Sequence, residues 1–348
     1  MFKKVTTAAV LAAALLSSTV AFAAETVNFG IISTESSLNL KKTWTPFLNA
    51  MENSTGLKIK AFFASDYAGV IEGMRFNKVQ IAWFGNKSGM EAVDRSGGEV
   101  FAQTVDVNGN LGYWSLLITQ KDSPINTLED ALKCDKSINF GIGDPNSTSG
   151  FLVPTTYVFA ARNIDPKKCF KTVRNASHEV NALSVANNQV DVATNNTESI
   201  RRIELTKPEA FKKIKVIWKS PLIPSDPLVW RKDLSNDIKS KVYKFVMSYG
   251  RNGSPEEVAA ARKVLANLQW APFKPSSDAQ LYPIRILAIN KDILKLRGDE
   301  KLSAEKKTRK MEHATCPPDK KEKKMEHATC PPEKKKMEHA TCPPEKKT

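Results

Sequence analysis

The chain has 348 residues, with 52 Lys and Arg against 37 Asp and Glu and a formal net charge of +15. A chain this long can bury a large core and more often builds two lobes than one. The excess base does not point to nucleic acid: about half of it belongs to the N-terminal leader and C-terminal tail, and the rest is spread without an arginine-rich stripe or an aromatic nucleic-acid motif.

The leader comes first. Lys3 and Lys4, an apolar run from Val10 to Val20 and the small-x-small site Ala21-Phe22-Ala23 have the layout of a secretory signal peptide over 1–23. The apolar run is too short to span a bilayer, so an exported, soluble protein is expected to begin near Ala24. Apolar periodicity then predicts strands over 26–32, 58–64, 79–83 and 100–105, with helices over 40–54, 68–76 and 88–96 between them. The scheme repeats with strands over 138–142, 170–174 and 190–194 and helices over 151–162 and 178–186. "MRFNKVQIAWFGN" (74–86) also lines up with "SVANNQVDVATNN" (184–196), each a helix that ends at asparagine and passes into a short apolar strand. The fold class expected is therefore α/β, with two similarly built lobes, each a mostly parallel sheet flanked by helices. Lobe one would take 24–113 and 227–298, and lobe two 114–226. Extended stretches over 111–118 and 221–230 would be the two crossing segments of a hinge that closes on ligand.

Cys134 and Cys169 each follow a helix-like segment and precede a strand-like one. A disulfide between them suits an oxidising compartment, though spacing does not supply its geometry. From Asp299 the composition changes: "KMEHATCPP" begins at Lys310, Lys324 and Lys336, among lysine runs and paired prolines that will not pack a core. The repeated His-x-x-Cys pairs (His313/Cys316, His327/Cys330, His339/Cys342) are ligand types that zinc accepts. Near-identical copies without globular context read as an appended, flexible segment, so no metal site and no cofactor are expected.

The chemistry gathers at element ends. "GDPNSTSG" (143–150) places Ser147, Thr148 and Ser149 where a strand passes into a helix. Free N–H groups of a helix start, joined by three hydroxyls, make a donor set for a tetrahedral oxyanion, whereas one Ser or Thr would suffice for a cap. The phosphate-loop signature of nucleotide enzymes and the G-x-S-x-G nucleophile elbow are both absent. "SDYAG" places Tyr67 at a helix start of lobe one and "NASHE" places His178 at the corresponding point of lobe two. "TNNTE" puts Glu198 just past a strand end, while Tyr113 and Asp226 lie in the two crossing segments. Hydroxyls at one end of a cleft and carboxylates with aromatics at the other suit a zwitterion: Ser, Thr, Tyr and His for the oxyanion, Glu198 and Asp226 for an ammonium.

At these residues the chain resembles a known family. "NFGIISTES", "WTPFL", "FFASDYAGVIEGMRFNKVQIAWFGN", "EAVDR", "FAQTV", "GYWSLLI", "GDPNSTSGFLVP", "VDVATNNTES", "VIWKSPLIPSDPLVWRK" and "LQWAPFKPSSDAQLYPIR" are similar to the periplasmic phosphonate-binding proteins of bacterial ABC importers, across 27–293. The resemblance implies a two-lobed (type II) periplasmic binding fold that captures alkylphosphonates, typically 2-aminoethylphosphonate, and delivers them to a membrane permease. Carried over, Tyr67, Ser147, Thr148, Ser149 and His178 would hold the phosphonate, and Tyr113, Glu198 and Asp226 would surround the amine. Phe84 stands where relatives often have tyrosine, which would remove a hydroxyl near the cleft. Beyond Ile293 relatives continue into helical sequence that helps pair subunits; here the repeated tail replaces it, leaving a homodimer open. The alternatives are a phosphate, phosphite or sulfate binder of the same fold, or a secreted phosphoester hydrolase using a Ser147–Ser149 hydroxyl with His178 as base. Capture without catalysis is the expected activity.

Overall fold

The computed structural model describes residues 25–298. The leader and the repeated tail lie outside the described residues, and so do the expectations placed on them.

The chain opens with β1 (Thr26–Ile31), β2 (Lys58–Phe63) and β3 (Ile81–Trp83), separated by helices Ser37–Thr55 and Tyr67–Arg75. In the first helix Leu40, Trp44, Phe47, Leu48 and Met51 are buried, the spacing of one helical face laid on the sheet. The Ser36 side chain accepts the Asn39 N–H at its start, and Gly56 takes the left-handed conformation at its end (φ +69°). Helix Asn86–Arg95 leads to β4 (Gly98–Asp106), and β5 (Gly112–Tyr113) carries the chain across to β6 (Ser115–Gln120). β7 (Asn139–Ile142), β8 (Thr172–Asn175) and β9 (Val192–Asn196) follow, with helix His178–Ala186 before β9 and helix Thr197–Thr206 after it. β10 (Ile214–Lys219) and β11 (Ile223–Pro224) bring the chain back to β12 (Pro227–Arg231) and, after two helices, β13 (Trp270–Pro275).

These strands form a six-stranded sheet in the order β13-β4-β12-β3-β1-β2 and a five-stranded sheet in the order β10-β6-β9-β7-β8. Both are built by one rule. Three strands joined through helices run parallel (β2-β1-β3 and β8-β7-β9), and the strand that has crossed from the other lobe then joins antiparallel, β12 beside β3 and β6 beside β9. The sheets are thus mixed rather than mostly parallel. Strand–helix–strand units dictate parallel neighbours, but a crossing segment returns the chain with its direction reversed.

The crossing segments pair with each other: β5 and β11 form a two-stranded antiparallel sheet, Tyr113 opposite Ile223 and Gly112 opposite Pro224. Gly112 is required there, because a Cβ would lie 2.5 Å from the Ile223 carbonyl oxygen. The core of lobe one centres on Trp44, whose ring centroid lies 5.4 Å from that of Trp83 and 5.3 Å from that of Trp270. In lobe two Phe140 stacks on Phe170 at 4.5 Å.

Cys134 and Cys169 are joined by a disulfide across a sequence separation of 35. They lie just before β7 and β8, which pair in parallel, so the bridge ties together the entries to two neighbouring strands. Closing a loop of that length restricts the unfolded chain, and Cys134→Ser with Cys169→Ser should lower stability by about 2–4 kcal/mol in a denaturant titration.

Candidate functional site

The two lobes face each other across a cleft of about 440 Å³, its mouth included. The lining follows from the topology: in α/β sheets ligands meet the carboxyl ends of the strands. Thr34 and Glu35 follow β1, Tyr67 follows β2, and Trp83 and Gly85 end or follow β3. Ser147, Thr148 and Ser149 follow β7, His178 follows β8, and Asn196, Glu198, Ser199 and Arg202 end or follow β9. Tyr113 in β5 and Asp226 just before β12 add the crossing segments. All eight residues singled out from sequence therefore line one cleft.

At one end lie the three hydroxyls. Ser147 caps the helical turn Thr148–Leu152, its Oγ accepting the Gly150 N–H at 3.0 Å. This turn is wide: the Leu152 N–H donates five residues back to the Ser147 carbonyl, and the chain continues in helical turns to Arg162. Thr148 Oγ1 accepts the Lys87 N–H from lobe one at 2.8 Å, and Ser149 Oγ accepts from Asn196 Nδ2 at 3.1 Å. A hydroxyl has one proton to give. Each of the three already accepts from the protein, so its own O–H can be directed at an oxyanion.

The histidine can be assigned in the same way. Asn196 Oδ1 accepts the Ser199 N–H at 2.7 Å, which turns its NH₂ toward His178 Nε2 at 3.3 Å. Nε2 then accepts, the ring proton sits on Nδ1, and Nδ1 is a buried donor without a partner. Burial lowers the His178 pKa to about 4, so the ring is neutral at physiological pH. The Tyr67 phenol lies beside Ser147; burial, then Asp226 and Asp144, raises its pKa, and it stays a donor. Four helices also open toward the cleft, at Tyr67, Thr148, His178 and Thr197, adding positive partial charge without a lysine or arginine at this end.

The other end is acidic. The Tyr113 hydroxyl donates to Asp226 Oδ1 at 2.9 Å, with both residues buried. Burial first, and then Glu198, raises the Asp226 pKa well above the ordinary value. Glu198 is partly exposed on the helix Thr197–Thr206, and desolvation pushes it up to about 7 against the opposing pull of Arg202. Trp83, beside them on the cleft wall, has its indole Nε1 buried without a hydrogen-bond partner. Two carboxyls in this position resist joint ionisation, and a cation beside them would relieve that cost.

The lobes touch around this cleft. Tyr67 N–H donates to Asp144 Oδ2 at 3.2 Å, Lys87 Nζ to Asn146 Oδ1 at 3.2 Å, and Ser36 N–H to Glu179 Oε2 at 2.9 Å. Arg201 meets Asp106 at 2.7 Å and Arg202 meets Glu35 at 2.9 Å.

A sequence profile of the family described as "ABC transporter, phosphonate, periplasmic substrate-binding protein" matches residues 29–281. The phosphonates-binding periplasmic protein of Escherichia coli K12 is 59% identical over 284 residues, 82% of each chain. The chain belongs to the periplasmic phosphonate-binding proteins. A crystal structure of the binding component of an ABC phosphonate transporter from Pseudomonas aeruginosa superposes with a TM-score of 0.80 at 58% identity, covering 83% of this chain and 94% of that one. PhnD1 from Prochlorococcus marinus, solved with methylphosphonate, shares the fold with a TM-score of 0.67 at 19% identity, over 77% of this chain and 98% of that one. This phosphonate-binding protein is the substrate-binding component of an ABC transporter, its relatives are transport proteins, and its family is periplasmic.

One reading from sequence is corrected. Phe84 is fully buried in the core of lobe one, its N–H donating to the Pro227 carbonyl, and it does not line the cleft. Trp83 faces the cleft instead. Sequence reading also missed Glu35, Asn196 and Arg202. Asn196 stood in the quoted "TNNTE" and, as the cap before helix Thr197–Thr206, could have been found by its position.

Two predictions follow from this geometry. Gly143 lies against Gly150, where a Cβ would come 2.6 Å from the Gly150 Cα, so Gly143→Ala should displace the three hydroxyls and weaken phosphonate binding in calorimetry by about tenfold or more. The raised Glu198 pKa is a folded-state preference for the protonated acid. Its stabilisation is complete below the unfolded value of 4.5 and is lost as pH rises through about 7. Thermal melts of ligand-free protein should therefore fall between about pH 5 and pH 8, and Glu198→Gln should flatten that decline.

Proposed function

We propose that the cleft captures alkylphosphonates carrying a terminal ammonium, with 2-aminoethylphosphonate the best match, and that the closed complex delivers them to a membrane permease. The observation that carries this reading is the pairing of opposite chemistries in one cleft. Three hydroxyls with protons to give stand at one end, and Asp226 and Glu198 stand at the other. In this reading Ser147, Thr148, Ser149, Tyr67 and His178 hold the phosphonate. Glu198 and Asp226 take the ammonium, and Tyr113 fixes Asp226 by its hydrogen bond.

A ligand that touches both lobes stabilises the closed arrangement by the difference between its closed and open contacts. A bare tetrahedral anion would leave the two carboxyls unanswered, which disfavours phosphate, phosphite or sulfate as the preferred ligand. Hydrolysis gains no support from the geometry either. Ser147 Oγ lies 3.5 Å from His178 Nε2, but the ring's other nitrogen has no carboxylate to orient it.

The test is calorimetry of the mature protein with 2-aminoethylphosphonate, ethylphosphonate and inorganic phosphate. The amino compound should bind most tightly, by about tenfold or more over ethylphosphonate, and Glu198→Gln should erase that margin. Equal affinity for the two phosphonates would leave the hydroxyl end standing and overturn the ammonium assignment. A preference for phosphate would overturn both.

A further inference from the structure

The acidic end of the cleft contains a cation of its own. Arg202 lies one helical turn beyond Glu198 on Thr197–Thr206, and both line the cleft. Residues four apart on a helix share a face, with Cβ atoms about 6 Å apart, and glutamate followed by a base is the favoured order. A guanidinium on that side chain can therefore reach the Glu198 carboxylate and neutralise it. In the structure it turns the other way. Arg202 Nε lies 2.9 Å from Glu35 Oε1 on lobe one, with the two side chains only 13% and 11% exposed. Nη2 donates to the Leu268 carbonyl at 3.2 Å, also on lobe one. The hold is largely one of charge, since the Nε–H is buried without an aligned hydrogen bond.

The other bases on this rim are committed as well. Arg201 is paired with Asp106 at 2.7 Å, and Lys207 with Glu179 at 3.0 Å. Glu179 in turn accepts from Ser36 N–H and, at 2.6 Å, from Asn39 Nδ2. Arg202 is the base that lines the cleft, and Glu35 is what holds it to lobe one.

We propose that Glu35 is a specificity-determining residue: by holding Arg202 on lobe one, it keeps the protein's own guanidinium off Glu198 and leaves that carboxylate for the ammonium of the ligand. The inference rests on the ammonium reading of Glu198. Glu35 itself touches no ligand in this scheme. It acts by occupying a competitor, so its removal should change which ligand is preferred rather than lower affinity in general. The pull of Arg202 on the Glu198 proton agrees with a guanidinium already within electrostatic reach.

The test compares wild type, Glu35→Gln, Glu35→Asp, Glu198→Gln and the double variant Glu35→Gln/Arg202→Gln. Each is checked for folding by circular dichroism and titrated with 2-aminoethylphosphonate and ethylphosphonate. Glu35→Gln should weaken 2-aminoethylphosphonate by about tenfold and leave ethylphosphonate unchanged or tighter, so that their ratio collapses. The double variant, with no guanidinium left to compete, should recover the ratio, and Glu35→Asp, which keeps the charge, should retain most of it. Equal loss for both ligands in Glu35→Gln would make Glu35 a simple clasp between lobes and overturn the proposal, as would an unrestored ratio in the double variant. Should Glu35→Gln fail to fold, Arg202→Gln alone carries the test: with the competing guanidinium gone it should keep the preference for 2-aminoethylphosphonate at or above that of wild type, and a fall in the ratio overturns the proposal. A wild type without preference, or a Glu198→Gln variant that keeps it, would bring down the ammonium reading and this inference with it.

Discussion

Two carboxyls sharing one poorly solvated cleft are the constraint around which the rest of the site is arranged. Asp226 is buried in the segment that returns the chain to lobe one, and Glu198 comes from the opposite lobe. Either could ionise freely in water. Together, stripped of much of their hydration, they resist joint ionisation, and the cost falls only when positive charge arrives between or beside them. The neighbours supply relief in limited amounts. Tyr113 gives Asp226 one hydrogen bond, and the nearest guanidinium is engaged with Glu35. The free energy withheld in this way would be available to an entering cation, and in the proposed reading this lets the acidic end discriminate among ligands that the hydroxyl end would treat alike.

The hydroxyl end works on the opposite principle. It would meet an anion without a full positive charge, through protons whose directions are set by what each oxygen already accepts. Ser147 is fixed by its own helical turn, Ser149 by Asn196 of the same lobe and Thr148 by the backbone of lobe one. In the proposed closure the last of these would link anion recognition to lobe contact, because the Lys87 N–H that orients the Thr148 hydroxyl comes from the other lobe. A neutral His178 fits the same scheme, since an imidazolium would have to be desolvated in a buried position to do what Nδ1–H does without charge.

Much of this site could be read from the sequence because its residues sit at punctuation marks. Ser147, Tyr67, His178 and Glu198 occupy the first turn or the cap of a helix that follows a strand, and local pattern places such positions well. What escaped was decided by distance. Nothing near Glu35 says that it will meet Arg202, which lies far along the chain and on the other lobe. The expectation that Phe84 lies near the cleft failed for a related reason. The three residues of β3 just before it are all buried, so alternation gives no hint of which way the next side chain turns. The direction of β6 and β12 was equally illegible, since it depends on the path of the crossing segments and not on the strands themselves.

The short ladder between β5 and β11 has one further consequence. Tyr113 is part of it, and Asp226 follows two residues after it, so the hydrogen bond that orients Asp226 spans the ladder that would be the pivot of the proposed closure. A rotation of the lobes moves points in proportion to their distance from its axis, and a bond at the axis hardly changes length. In the proposed closure Asp226 would therefore be a stationary post, in place whether the jaws are apart or together. The three hydroxyls and Glu198, on the other lobe, would be the groups that move in that closure. One half of the acidic pair would then be ready before the other arrives, and Gly112, with no room for a side chain against the Ile223 carbonyl, keeps the two strands of the ladder close together.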